Sequence, residues 1–342
     1  VGYSTNGAPG AFVKCNASGQ FAPAGGASLL INSVTLNENS TLDCGGFNQS
    51  VPNLNLTRAT IQTGAGVLSL AGDLRAYAVN GTSSSYMLGN LQLQTGLDST
   101  HGFQVDTNAL LWCNAAISET GGPQIIQKLG SGQWLGLGDV SITGDIDVQA
   151  GRWLAGGSNP FGSAAAPTIV EDGASLVTFT GTFAEPLQLS GGGDGGIGAL
   201  YSSSTNSFTG PITLNTNAVV YAETNGVITL IGAISGPGNL VKDGGGLLKF
   251  SGTDANTYAG STIVNRGKLE LGKSGAVAVP GPLTCEGLGT SSGVRLMLAN
   301  QISDSSHVQL NGSTYLDLNG NSDTIGSIAG TGSVLLGTGT LT

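Results

Sequence analysis

The 342-residue chain carries 11 Lys and Arg against 21 Asp and Glu, a formal net charge of −10 with a pI near 4.4. That balance argues against nucleic acid as a partner, which requires a basic stripe, and no apolar run approaches the ~18 residues of a transmembrane helix. Gly supplies 58 residues without a Gly-X-Y period, which excludes collagen, and 39% apolar residues are enough for a core, so disorder is not expected.

Residues 1–27 are rich in Gly, Ala and Pro with little periodicity, and read as a cap, arm or linker. Val1 opens the chain without Met or a leader-like run, which reads as a mature or excised segment. From residue 28 to 342 short β-prone runs dominate: Leu29–Ile31, Val34–Leu36, Leu54–Leu56, Thr60–Gln62 and Val67–Leu70 come first, joined by Gly/Asn turns. Asn80–Tyr86 reads as a small polar loop, Ala164–Pro167 as a short excursion, and Ser190–Ser207 as a long flexible excursion from one corner. Asn239–Val241, Leu247–Phe250, Thr262–Val264 and Lys268–Leu271 are the clearest later strands, and none is long enough for a usual helix. Charged residues are only 9%, against about 25% in ordinary chains. Helices need long charged side chains on their wet faces, whereas a β-solenoid can be covered by Ser, Thr, Asn and Gln. At roughly 20–25 residues per coil the chain would supply about 14–16 coils.

Segments recur. Asn206–Asn215 lines up without a gap on Asn256–Asn265, placing Val219 on Leu269 and Tyr221 on Leu271. Gly232-x-Ile234-x-Gly236-x-Gly238-x-Leu240 returns as Gly326-x-Ile328-x-Gly330-x-Gly332-x-Val334. Lys242-x-Gly244-x-Gly246-x-Leu248 matches Lys128-x-Gly130-x-Gly132-x-Trp134, and Val264-x-x-Gly267-x-Leu269 matches Val148-x-x-Gly151-x-Trp153. Thr41–Val51 matches Tyr315–Ile325, with Leu316 and Leu318 read as inward and Asp317 as outward. Lys242 to Leu269 resembles the autotransporter-associated β-strand repeat of bacterial surface passengers, and Leu42–Val51 is similar to a second segment common in those proteins. The resemblance implies an all-β, right-handed parallel β-helix: a single elongated repeat domain with almost no helix, secreted and displayed at a cell surface. It names no activity.

Candidate chemistry is sparse. Asp145 and Asp147 share one strand face and are the best carboxylate pair for a glycosidase, but with Ile146 and Val148 inward they read as solvent-facing. His101 and His307 read as solvated loop residues; Asp98 and His101 are too local to impose triad geometry. Gly191–Gly196 (GGGDGG) is similar to a calcium-binding β-roll repeat but occurs once and reads as a flexible loop. Trp112, Trp134 and Trp153 are candidates for stacking on sugars, yet Trp134 and Trp153 fall on the repeat positions of Leu248 and Leu269 and read as core. Cys44 occupies the inward position of Leu318; a buried thiol and a Cys15–Cys44 bridge are both open, and Cys113 and Cys285 read as free. Asn-x-Ser/Thr sequons stand at Asn16, Asn39, Asn48, Asn55, Asn80 and Asn311.

No catalytic residue, cofactor or metal is expected. The leading expectation is a non-enzymatic extracellular structural or adhesive solenoid of a bacterial cell surface or matrix. The alternatives are a carbohydrate-active β-helix using Asp145 or Asp147, and a glycan-binding module, which needs exposed aromatics. Ser333–Thr342 alternates apolar residues and is nearly uncharged, so head-to-tail self-association is also expected. Surface glycans are the other candidate partner.

Overall fold

The computed structural model of the protein describes residues 12–15, 33–96, 98–289 and 292–342. The expected cap at 1–27, apart from 12–15, and the expected strand Leu29–Ile31 lie outside the described residues. The chain is all-β, about 1% helix, with strands of parallel stacked coils forming a β-solenoid of about 14 turns. It divides into two units, Val1–Thr168 and Ile169–Thr342.

Period-2 alternation explains the core of each unit, because a strand sends successive side chains to opposite faces. In the first unit, Val34, Leu54, Leu74, Phe103, Lys128 and Val148 are successive register partners along one inward column. A second column runs Leu42, Ile61, Met87, Cys113, Gly136, Ala155. Phe103, Trp134, Trp153 and Phe161 form an inner aromatic stack with centroid spacings of 5.2, 4.9 and 5.4 Å; the two indoles lie 5° from parallel and Phe103 and Phe161 meet them edge-on. Trp134 and Trp153 are therefore core residues, as their repeat positions indicate.

In the second unit, Phe183, Phe208, Leu230, Phe250, Leu271 and Leu296 form one column. Ile228, Leu248, Leu269, Val294, Leu316 and Val334 form its neighbour. Leu316 and Leu318 are fully buried, while Asp317 points out and pairs with Arg295 at 3.2 Å. On that outer face Lys249, Glu270, Arg295 and Asp317 alternate in sign from coil to coil, so each charge faces an opposite one across the strand gap.

Four expectations need correction. Asn80–Tyr86 is not a loop throughout: Ser83–Gln94 is a 12-residue strand whose Ser83, Ser85 and Met87 point inward. Small polar residues made it look like a turn, yet Ser83 Oγ bonds the Val79 backbone and Ser85 Oγ accepts from Ala59 N–H, so the hydroxyls are tolerated inside. Ser190–Ser207 is not one loop: the strands Leu187–Gly191, Leu200–Ser202 and Thr205–Phe208 confine the non-strand stretch to 192–199, with a 3₁₀ turn at Asp194–Gly196, and to 203–204. The 50-residue alignment also joins different columns. Ile212 pairs with Ile234 and Ala218 with Leu240, which pairs with Thr262, so Thr262 belongs to the column of Ala218 rather than Ile212. Likewise Ile328 stacks on Val308, in the column of Leu240, not of Ile234. Local turn-strand composition repeats more often than whole coils do.

Candidate functional site

The most specific sequence motif turns out to be architectural. In Lys-x-Gly-x-Gly, the Lys sits inside an apolar column and its ammonium ties down carbonyls at a corner. Lys242 Nζ donates to the carbonyls of Asp243, Gly244 and Arg266 at 2.7, 2.7 and 3.0 Å. Lys128 Nζ does the same to Leu129, Gly130 and Ala150 at 3.1, 2.7 and 2.7 Å. Both lysines are fully buried. Gly130 and Gly244 take φ of 74° and 77°, and a Cβ on Gly132 or Gly246 would lie 2.2 or 2.1 Å from a carbonyl of the coil before. Burial lowers the Lys242 pKa from 10.5 to about 8, with the nearby Asp243 charge opposing. Lys273 is a third case, with Nζ on the carbonyls of Ile231, Gly232 and Ser251 at 3.3, 3.2 and 3.1 Å and its pKa lowered by burial. Sequence reasoning missed this role; the Lys in phase with inward Leu240 and Leu248 was the available signal.

Asp145 and Asp147 do sit outward, beside buried Ile146 and Val148. Asp147 Oδ2 accepts from Gln149 Nε2 at 2.6 Å, Oδ1 is buried without a hydrogen bond, and burial, with the Asp145 charge, raises its pKa. Its register partner in the preceding coil is Gln127, so that coil supplies no second carboxylate there. Among the described residues no group of three or more His, Cys, Asp or Glu is arranged to hold a metal ion. Asp194 of the Gly/Asp stretch instead sits in the 3₁₀ turn, with its N–H on Ser175 Oγ at 2.9 Å.

The solvated reading of His101 is overturned. Its ring is fully buried, with Nδ1 2.8 Å from the Gly72 carbonyl and Nε2 2.9 Å from Gln124 Oε1. His101, Phe103 and Val105 alternate inward along Thr100–Val105, a phase readable in the sequence but masked by the polar neighbours. His307 is exposed and meets Ser327 Oγ at 2.8 Å, but within a strand, His307–Leu310, rather than a loop. All four cysteines are buried free thiols; Cys15 and Cys44 follow the paired Lys14 and Asp43 and meet through their side chains. Burial pushes Cys44 up to about 12 and Cys285 likewise, which leaves no activated nucleophile among them. Glu185 is an inward carboxyl, 5% exposed, pushed up to about 8 by burial.

Two surface features remain. In the second unit, residues 215–217 bulge outward where Leu189 pairs with Leu214 but Gly191 with Ala218. With Asp172 and Gly238 they line an open groove of about 430 Å³. In the first unit, Tyr86 and Trp112 are register partners on an outer sheet face, 38% and 36% exposed, with ring centroids 6.0 Å apart and planes 36° apart.

Over 177 residues, 49% of the chain, the sequence is 33% identical to the Adhesin BmaC autotransporter of Brucella suis biovar 1 (strain 1330), of which the match covers 5%. The chain thus spans a small fraction of that relative's length. No family model matches the chain, and no solved structure matches it.

Proposed function

We propose that the chain is an extracellular, non-enzymatic β-solenoid module of a bacterial surface adhesin. The observation that carries this reading is the 177-residue similarity to an autotransporter adhesin, in a chain folded as parallel stacked coils. A wall of Ser, Thr, Asn and Gln over continuous apolar columns suits display outside the cell: each coil rests only on its neighbours and the outer faces are left for contact. The buried thiols, raised Cys pKa values and the Gln127 neighbour of Asp147 favour binding over turnover.

Adhesion is tested by displaying the chain on a non-adherent bacterium and counting cells retained on host-cell and abiotic surfaces. Retention above that of the undisplayed strain is expected; equal retention on every surface sinks the adhesive part. Turnover of any acidic or neutral glycan that Asp145→Asn abolishes would sink the non-enzymatic part.

A second reading, stacking of a further coil on the last one, rests on a separate observation. Ile328, Val334, Leu335 and Leu336 are 43%, 36%, 50% and 44% exposed, although Val334 continues a column whose other members are buried. A coil laid there, from a longer protein or from another copy, would cover Ile328 and Val334, which continue the buried columns of Val308 and Leu316, whereas Leu335 lies in the outward row of Asp317.

A further inference from the structure

We infer that the outer face around Tyr86 and Trp112 is a carbohydrate-binding platform for neutral hexopyranose chains, which rests on the adhesin reading and supplies its ligand class. The two rings belong to a row that crosses the coils at right angles to the strands: Thr60, Tyr86, Trp112, Leu135 and Leu154 are successive register partners, all pointing outward. Their neighbours along each strand point inward and are buried, Ser85 and Met87 beside Tyr86, Leu111 and Cys113 beside Trp112. The rings therefore stand on a packed sheet, with Tyr86 N–H held on the Ala59 carbonyl at 2.8 Å, and little freedom remains to be lost on binding.

The chemistry of the row selects the ligand. A pyranose presents a face of C–H bonds, which suits the negative π face of an aromatic ring, and an edge of hydroxyls that must find donors and acceptors. Both are present. On one side of the row lie Ser84, Leu110, Gln133 and Arg152, on the other Gln62, Leu88 and Asn114, polar but for the two leucines. Asn114 and Gln133 are exposed, and amides meet hydroxyls as donor and acceptor at once. From Thr60 to Leu154 neither the row nor these flanks contains an Asp or Glu, in a chain of net charge −10. A polyanion would meet that overall charge, whereas a neutral glycan does not.

A second protein is the less fitting occupant. At 38% and 36% exposure the two rings offer on the order of 150 Å² of open aromatic surface, and a stable protein interface needs about 800 Å² per partner. Leu88 beside Tyr86 and Leu110 beside Trp112 widen the apolar strip locally, and Gln62, Ser84, Asn114, Gln133 and Arg152 on its flanks are polar. Trp112 is also the only one of the three tryptophans that reaches solvent, since Trp134 and Trp153 are fully buried.

The test uses the whole chain in affinity electrophoresis through gels containing single neutral polysaccharides: glucans, mannans, galactans and xylans. Retardation by at least one is expected. Trp112→Ala and Tyr86→Ala should each weaken it about tenfold or more, Trp112→Phe should retain part of it, and thermal midpoints should stay unchanged because both side chains point outward. Ligand should also shield the Trp emission from acrylamide. No retardation in any neutral gel overturns the proposal, as does retardation that Trp112→Ala leaves intact. Retardation confined to anionic polysaccharides overturns the neutral assignment, and dimerisation lost in Trp112→Ala reassigns the face to a second copy. A displayed Trp112→Ala chain that adheres as well as the parent overturns this proposal but leaves the adhesin reading standing; failure of the parent to adhere, with glycan retardation intact, does the reverse.

Discussion

At the residue scale, the buried polar groups set how the fold responds to pH. Lys242 is held by three carbonyls and no carboxylate hydrogen bond, so Lys242→Met would leave those carbonyls without a donor. A loss of about 3 kcal/mol is expected in denaturant unfolding, the scale for stranding groups bonded to a buried charge. Its folded pKa of about 8 lies below the ordinary 10.5. Below pH 8 both states hold the proton; from 8 to 10.5 the unfolded state holds more, so this group's contribution rises with pH, by at most about 1.4 kcal/mol per unit. The difference in unfolding free energy between parent and Lys242→Met, followed from pH 7 to 10.5, should grow; a flat difference refutes the assignment. Glu185 runs the other way. Its folded pKa is about 8 against 4.5, so stability present below pH 4.5 is lost as pH rises to 8. Glu185→Gln should flatten that decline and melt above the parent at pH 8, read by calorimetry.

At the element scale, the column is the unit of stability. Leu316 stacks between Val294 and Val334 and is fully buried. Replacing it with Asp would bury an unpaired charge among apolar neighbours, and about 4 kcal/mol or more should be lost. A Leu316→Asp protein that melts with the parent would mean that Leu316 does not face the core. The outward Lys249, Glu270, Arg295 and Asp317 ladder is expected to matter far less, because exposed pairs are worth under about 1 kcal/mol and are screened by salt. The Gly-x-Gly of the repeat belongs to this scale too: Gly246 leaves room for the Glu223 and Gly226 carbonyls of the preceding coil, so the motif marks where coils touch at a corner.

For the molecule as a whole, a repeat built of one kind of coil can be lengthened without new chemistry, which fits a chain that matches only 5% of its adhesin relative. The open apolar residues of the last coil carry a prediction at this scale. The isolated chain should self-associate in sedimentation velocity as concentration rises, and Val334→Lys with Leu335→Glu should suppress it, since charges on an open strand edge oppose edge pairing. A parent that stays monomeric at high concentration ends the stacking reading for this segment.

By itself the sequence determined the all-β class, the coil count to within a turn or two, and many strands to the residue, among them Leu247–Phe250, Thr262–Val264 and Lys268–Leu271. It also determined the inward phase of Leu316, Trp134 and Trp153, because period-2 alternation is a local property. Tertiary structure alone decided which coil each segment stacks on. Asn256 and Asn206 share a local motif but not a column, since coil length varies and only the preceding coil sets register. It decided that His101, Lys128 and Glu185 lie inside, because a polar residue can hold an inward position only if neighbouring coils supply its partners or suppress its charge. And it brought Tyr86 beside Trp112, 26 positions apart in sequence and 6.0 Å apart in space, a pairing that exists only once the chain has made a full turn.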